Sequence, residues 1–178
     1  MSIRPAVSSD ATGIAELHAA SWRRAYRGIL RDEFLDGPVV QERRRLWESR
    51  LSQSLLPEAR FVALIENGGE LEAFVCVLLD ADAHWGALLD NLHVSTSAQG
   101  RGLGRSLMAE AARWVLQRRP HSRLHLWVYE KNVAACGFYE HLGGVITEHR
   151  AKAAPDGCQI PAIRYGWEDL AGLTCGGP

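Results

Sequence analysis

A chain of 178 residues and 19.7 kDa has the length of one ordinary domain. Its 20 basic and 21 acidic residues leave a formal charge of -1, which excludes a diffuse basic surface for nucleic acid or anionic membrane. With 47% hydrophobic residues there is material for a core, yet the longest apolar run, Ala73 to Leu79, falls far short of the roughly 20 residues that span a bilayer.

The N-terminus has no apolar signal region, so a cytoplasmic location is expected. An extended start over Ile3 to Ala6 precedes Ser8, Ser9 and Asp10, which offer N-caps to a helix carrying Ile14, Leu17, Ser21, Trp22 and Ala25 at helical spacing. Gly28 interrupts that helix, Asp36-Gly37-Pro38 makes a second break, and Val39 to Leu51 resumes it, so residues 10–56 read as mostly helical. After Pro57 the pattern changes. Arg60 to Glu66 and Leu71 to Leu79 flank Asn67-Gly68-Gly69 as a β-hairpin, and a loop from Asp80 to Trp85 leads to a strand over Ala87 to Val94.

A glycine-rich bend then opens a helix in which Leu103, Leu107, Ala111 and Val115 recur every fourth residue until Pro120. Arg123 to Tyr129 alternates as a strand, Asn132 to Leu142 is a short helix stopped by Gly143-Gly144, and Val145 to Arg150 and Gln159 to Trp167 close the series. The tail from Ala171 to Pro178 is expected to fray. This order predicts a mixed sheet with helices on both faces and one parallel βαβ pair over residues 87–129, with ligands at the carboxyl ends of those strands. Cys76, Cys136, Cys158 and Cys175 lie too far apart in sequence for half a zinc site or a redox pair.

The bend reads Gln99-Gly100-Arg101-Gly102-Leu103-Gly104-Arg105-Ser106. Glycines at every second position let the backbone approach a ligand, and unpaired amides at a helix start favour an anion. It is not a P-loop, which needs a lysine, nor a dinucleotide fingerprint, whose last glycine is absent at the required spacing.

Together with its surroundings this bend resembles the GNAT superfamily of N-acetyltransferases. Gln99, Gly102 and Gly104 fill the acyl-coenzyme A motif Q/R-x-x-G-x-G/A, and Leu92-His93-Val94 looks like the family's central strand. Asn132, Ala135, Phe138, Tyr139, Leu142 and Gly143 match the segment N-x-x-A-x-x-F-Y-x-x-L-G, so the likeness covers roughly residues 86–150. It implies a three-layer αβα sandwich around a mostly antiparallel sheet, a single acetyltransferase domain over residues 1–178, and acetyl-coenzyme A as co-substrate without a metal. The backbone at Leu92, His93 and Val94 would pair with the pantetheine arm. The amides of Gln99, Gly100, Arg101, Gly102, Leu103 and Gly104 would hold the pyrophosphate, with charge from Arg101 and Arg105 and a hydroxyl from Ser106; Arg101 reads equally well as a solvated loop residue.

Tyr139 matches the family's general acid and also touches cofactor, while Asn132 either orients the cofactor or caps its helix. The positions where the family places a basic Glu hold Leu88 and Trp127 here. Asp90 and His93 on the central strand, and Glu130 after the next, are the bases that remain. A weak base suits an amine of modest pKa. For the acceptor, Trp22, Tyr26, Arg27 and Trp85 are candidates, although aromatic residues at helical spacing also build cores; Arg23, Arg24 and Arg43 to Arg45 read as a solvated face. The expected partners are a small-molecule or peptide amine and, in a homodimer, a second copy of the chain, with neither nucleic acid nor membrane. The competing reading is a catalytically inactive acyl-coenzyme A sensor.

Overall fold

The computed structural model describes residues 2–52 and 59–174. Strand β1 (Ser2–Pro5) is followed by helices α1 (Ala11–Ala25), α2 (Asp32–Asp36) and α3 (Val39–Leu51). Strands β2 (Arg60–Asn67), β3 (Glu70–Asp82) and β4 (Gly86–Val94) precede helix α4 (Leu103–Arg118). Then come β5 (Leu124–Tyr129), α5 (Val133–His141), β6 (Val145–Ala153), β7 (Gln159–Trp167) and α6 (Ala171–Thr174). The seven strands form one sheet in the order β1-β2-β3-β4-β5-β7-β6, with β4 and β5 the parallel pair.

Alternation along the strands sorts the core into two layers. Val75, Val77, Leu89, Leu126 and Tyr165 face one way and pack with Leu103, Leu107, Ala111 and Val115 of α4 and with Cys136 and Tyr139 of α5. Val62, Leu64, Phe74 and Cys76 face the other way, onto Ile14 and Ala15 of α1 and Trp47 of α3. Helices thus cover both faces, as the sequence predicts. The β2–β3 hairpin closes through Gly68 and Gly69, whose φ angles of 61° and 84° are those a tight hairpin turn requires.

Four boundaries depart from the sequence reading. A separate helix, α2, forms between the two glycine breaks, held by Leu35, which is fully buried. Strand β3 runs on to Asp82, inside the stretch expected to be loop, because Asp82 Oδ1 accepts the amides of His84 and Trp85 and turns the chain sharply back into Gly86. Asp10 does not cap α1 with its carboxylate; it accepts from Val7 N at 2.7 Å and from both Arg4 Nη atoms. The tail is not frayed over Ala171–Thr174: Asp169 accepts the Ala171 amide, and Leu170 and Leu173 are buried in the α4 layer. The rest of the expected fraying, residues 175–178, lies outside the described residues, as do residues 53–56 of the expected helical stretch.

Two irregularities in β4 break the sheet's regularity near its centre. Its register against β3 passes from Cys76–Asn91 to Val77–Leu89, so Asp90 is an extra, bulged residue. Its parallel register with β5 consists of only Ala87–Leu124 and Leu88–His125, after which the two strands part. The closed end is tightly fitted: a Cβ on Gly86 would lie 2.8 Å from the carbonyl oxygen of Arg123.

Candidate active site

Parting of β4 from β5 opens a cleft of about 470 Å³, the size range of a cofactor or ligand site. Residues 89–94 of β4 and 126–128 of β5 form its walls; the bend at Gly100–Arg105, α5 at Tyr139, and Ser21, Arg24 and Tyr26 of α1 and its C-cap close it.

The bend has the geometry of an anion cradle. Gly100 and Gly102 take φ angles of 76° and 78°, and a Cβ on either would meet nothing within 4 Å, so the backbone there faces open space. Gly102 is the N-cap of α4, and its carbonyl accepts the first helical amide at Ser106. Among the described residues, the six amides from Gly100 to Arg105 have no hydrogen-bond partner, which concentrates donors and the positive end of the α4 dipole at one spot. Gly104 has another role: a Cβ there would press on the Phe138 ring at 3.2 Å, so its smallness seats α4 against α5.

Side chains around the cradle are mostly tied to protein. Arg101 pairs with Glu72 at 2.7 Å, and Gln99 accepts from Arg24 at 3.2 Å. Arg105 lines the cleft, whereas Ser106 and Arg101 do not. Asn132 caps α5 by accepting from Ala135 N at 3.4 Å and also lines the cleft.

Tyr139 is 9% exposed, on the α5 face that packs against Tyr165 and Trp167. Its hydroxyl has no hydrogen-bond partner among the described residues, and burial holds the phenol above its ordinary pKa, hence protonated at neutral pH. Asp90 is the one carboxylate lining the cleft among the described residues, and it is engaged: Arg50 and the Asn91 amide both reach its Oδ2 at 2.5 Å. His93 Nδ1 lies 2.8 Å from Ser21 Oγ, and burial, aided by Arg43, lowers its pKa to about 3. The ring lies 4.5 Å from that of His18, tilted by 36°, and His18 Nδ1 accepts from Trp47 Nε1 while burial also depresses its pKa. Glu130 pairs with His149 outside the cleft.

Of the acceptor candidates the structure brings only Tyr26 to the cleft, where its ring meets Tyr129 at 5.1 Å. Trp22 sits behind it under Arg43, 4.3 Å from the ring centre. Arg27 is spent on Asp32 and Asp36, and Trp85 packs on the Gly166 backbone, so neither lines the cleft. Of the expected solvated face, Arg24 and Arg45 are exposed, though Arg24 also lines the cleft, whereas Arg43 is buried. Ser21, Arg24 and Ala25 are spaced by three and four residues, a helical stripe present in the sequence but masked by its polar residues. Trp127, at a position where the family places a basic Glu, is a half-buried wall of the cleft.

Cys76, Cys136 and Cys158 are free thiols, and Cys175 lies outside the described residues. Among the described residues, no group of three or more metal-binding side chains occurs, and no helix is long and apolar enough to cross a membrane.

Comparison with known proteins agrees with this fold. The family model described as Acetyltransferase (GNAT) family matches residues 13–144. The "Probable N-acetyltransferase Rv2775" of Mycobacterium tuberculosis is 31% identical over 165 residues, 92% of this chain and 91% of that one. The "Uncharacterized N-acetyltransferase YuaI" of Bacillus subtilis is 26% identical over 175 residues, 97% of this chain and 96% of that one. Among solved structures, YncA of Salmonella typhimurium with its cofactor acetyl-coenzyme A superposes with a TM-score of 0.67 at 19% identity, covering 94% of this chain and 93% of that one.

Proposed function

The chain belongs to the GNAT acetyltransferase family, and from that premise we propose that it transfers the acetyl group of acetyl-coenzyme A to a primary amine of a small molecule or peptide. The observation that carries this reading is the pairing of an amide cradle at Gly100–Arg105 with a protonated, unpartnered phenol, Tyr139, in the same cleft. The cradle fits a pyrophosphate, since its glycines leave room and its amides lack partners. Leu92, His93 and Val94, beyond the last β4–β5 pair, supply a strand edge for an extended amide-bearing arm. When bound, acetyl-coenzyme A supplies a thioester activated toward a neutral amine.

Tyr139 holds the proton that the departing sulfur needs. Its raised pKa keeps that proton in place, and the same dry surroundings make a developing thiolate a stronger base than it is in water, which favours transfer. Asp90 and His93 serve poorly as bases: the first is committed to Arg50 and the second is hard to protonate. Deprotonating a lysine-like amine of pKa about 10.4 at pH 7 costs about 4.6 kcal/mol, against about 1.4 for an α-amine near 8. A cleft without a free carboxylate among the described residues therefore suits the less basic amine. Coenzyme A release measured across a panel of amines tests the reading: turnover of at least one amine that Tyr139→Phe strongly reduces supports it, and tight acetyl-coenzyme A binding with no turnover of any amine overturns it.

A further inference from the structure

Past the parting of β4 and β5, the sheet face toward α1–α3 carries a row of cations around one aromatic ring. Trp127 pairs in register with Arg164 of β7, which pairs with Glu148 of β6. Because side chains alternate, Glu148, Arg150 and Lys152 of β6 share that face. The small Ala162 stands between Tyr129 and Arg150 on β7, so the long β6 side chains reach across it. Arg164 Cζ lies 4.7 Å from the centre of the Trp127 ring, Lys152 Nζ 4.6 Å and Arg150 Cζ 5.2 Å.

The row is short of negative charge. Glu148 takes Arg164 at 2.8 Å and Arg150 at 3.4 Å, and it is the row's one carboxylate. Arg164 is 8% exposed, yet its Nε has no partner among the described residues. Lys152, half-buried, has no ion pair or hydrogen bond among them either. Burial first, then Arg150 and Arg164, lower its pKa, while Glu148 and Asp90, the latter a lining residue of the cleft, raise it. A desolvated ammonium without a counter-charge costs stability, and cation–π contact with Trp127 offsets only part of that cost.

We propose that this row, which adjoins the cleft through Trp127 and does not itself line it, is an anion subsite beside the acceptor pocket, in which Lys152 and Arg150 hold a carboxylate or phosphate group of the same molecule whose amine is acetylated. The substrate class is then a small amine or peptide bearing an anionic group, and polycationic amines are disfavoured by the surplus positive charge. This rests on the acetyl-transfer reading above and adds the acceptor's chemistry to it. Lys152 is the specificity-determining residue, because Arg150 and Arg164 already share Glu148.

Matched amines decide the matter: a dipeptide with a free α-amine as its C-terminal acid and as its amide, O-phosphoethanolamine against ethanolamine, and spermidine. Coenzyme A release gives kcat/KM for each, and calorimetry on the coenzyme A-loaded protein gives affinity for each independently of turnover. An anionic member of a pair favoured by about 10- to 100-fold, chiefly through KM, is expected for a charge-assisted contact. Lys152→Met should bring that ratio near one and Lys152→Arg should keep most of it. The dipeptide arm and the phosphate arm distinguish which anion is preferred. Equal use of charged and neutral partners, or spermidine as the best substrate, overturns the subsite while leaving acetyl transfer intact. If no amine turns over, acetyl transfer fails, and the subsite stands or falls on whether calorimetry shows anion-selective binding that Lys152→Met removes.

Discussion

Arg50 Nη1 lies 2.5 Å from Asp90 Oδ2, joining the last turn of α3 to the bulge of β4. Both side chains are largely covered, at 17% and 26% exposure, so the pair is only partly screened by water. Asp90→Asn should cost about 1–3 kcal/mol of stability, because it leaves Arg50 without its counter-charge. It should lower kcat/KM no more than about tenfold, since proton removal by a base is worth about 100-fold or more, and it should leave the shape of the pH profile unchanged. Urea melts and the pH dependence of kcat/KM check both parts; a properly folded variant inactive across the whole pH range would make Asp90 the base.

Tyr139→Phe removes a hydroxyl that holds no hydrogen bond among the described residues, while the ring keeps its place against Tyr165 and Trp167. Stability should therefore stay within about 0.5 kcal/mol, and kcat should fall by about 10² to 10³ with little change in acetyl-coenzyme A affinity. Steady-state kinetics beside a thermal melt make the comparison. A drop in affinity equal to the drop in kcat would mean that the phenol binds rather than donates.

Gly102 and Gly104 should fail differently. Gly102→Ala places a Cβ in open space but forces an alanine to a φ of 78°, a strain of about 1–2 kcal/mol, and the new methyl enters the region where the amides point. Acetyl-coenzyme A binding should weaken at least about tenfold. Gly104→Ala instead presses on Phe138 at 3.2 Å and should show mainly as lost stability. Calorimetry and denaturation on the two variants separate these effects, and identical losses in both measurements would contradict the assignment.

His18 of α1 and His93 of β4 form a neutral pair, each with its pKa depressed by burial, His93 to about 3. An imidazole that binds its proton more readily unfolded than folded gives stability that is complete above about pH 6.5 and is lost as pH falls toward 3. His93 contributes up to about 1.4 kcal/mol per pH unit across that window, and His18 acts in the same direction. Protonation of His18 would also displace the Trp47 donor from its Nδ1. The melting temperature should fall steeply between pH 6.5 and 4, and His93→Gln should flatten that slope; an unchanged slope would show that carboxylates alone set the acid limit.

Much of the fold is legible in the sequence because it rests on local patterns. The four-residue recurrence from Leu103 to Val115, the Asn67-Gly68-Gly69 turn and the β5 alternation each name their element directly. The glycines of the bend are legible for the same reason: backbone geometry dictates residue type there. The features that stay hidden depend on pairs distant in sequence. Arg50 gives no hint of Asp90, nor Arg101 of Glu72, and Trp85 and Arg27 are near the cleft along the chain rather than in space. Lys152 and Arg164 carry no local signal either, since only the strand order β5-β7-β6 brings them to Trp127.

The two pairs that join β4 to β5 also act as a pivot. From Leu88 to Val94 the strand runs about 20 Å, so a rotation of about 3° at the closed end moves the open end by about 1 Å. Cleft width is therefore calibrated at Gly86, Ser122 and Arg123, where a Cβ on the glycine would lie 2.6 Å from Ser122 Oγ and 2.8 Å from the Arg123 carbonyl oxygen. These residues touch none of the chemistry, yet their packing fixes the aperture through which cofactor and amine meet.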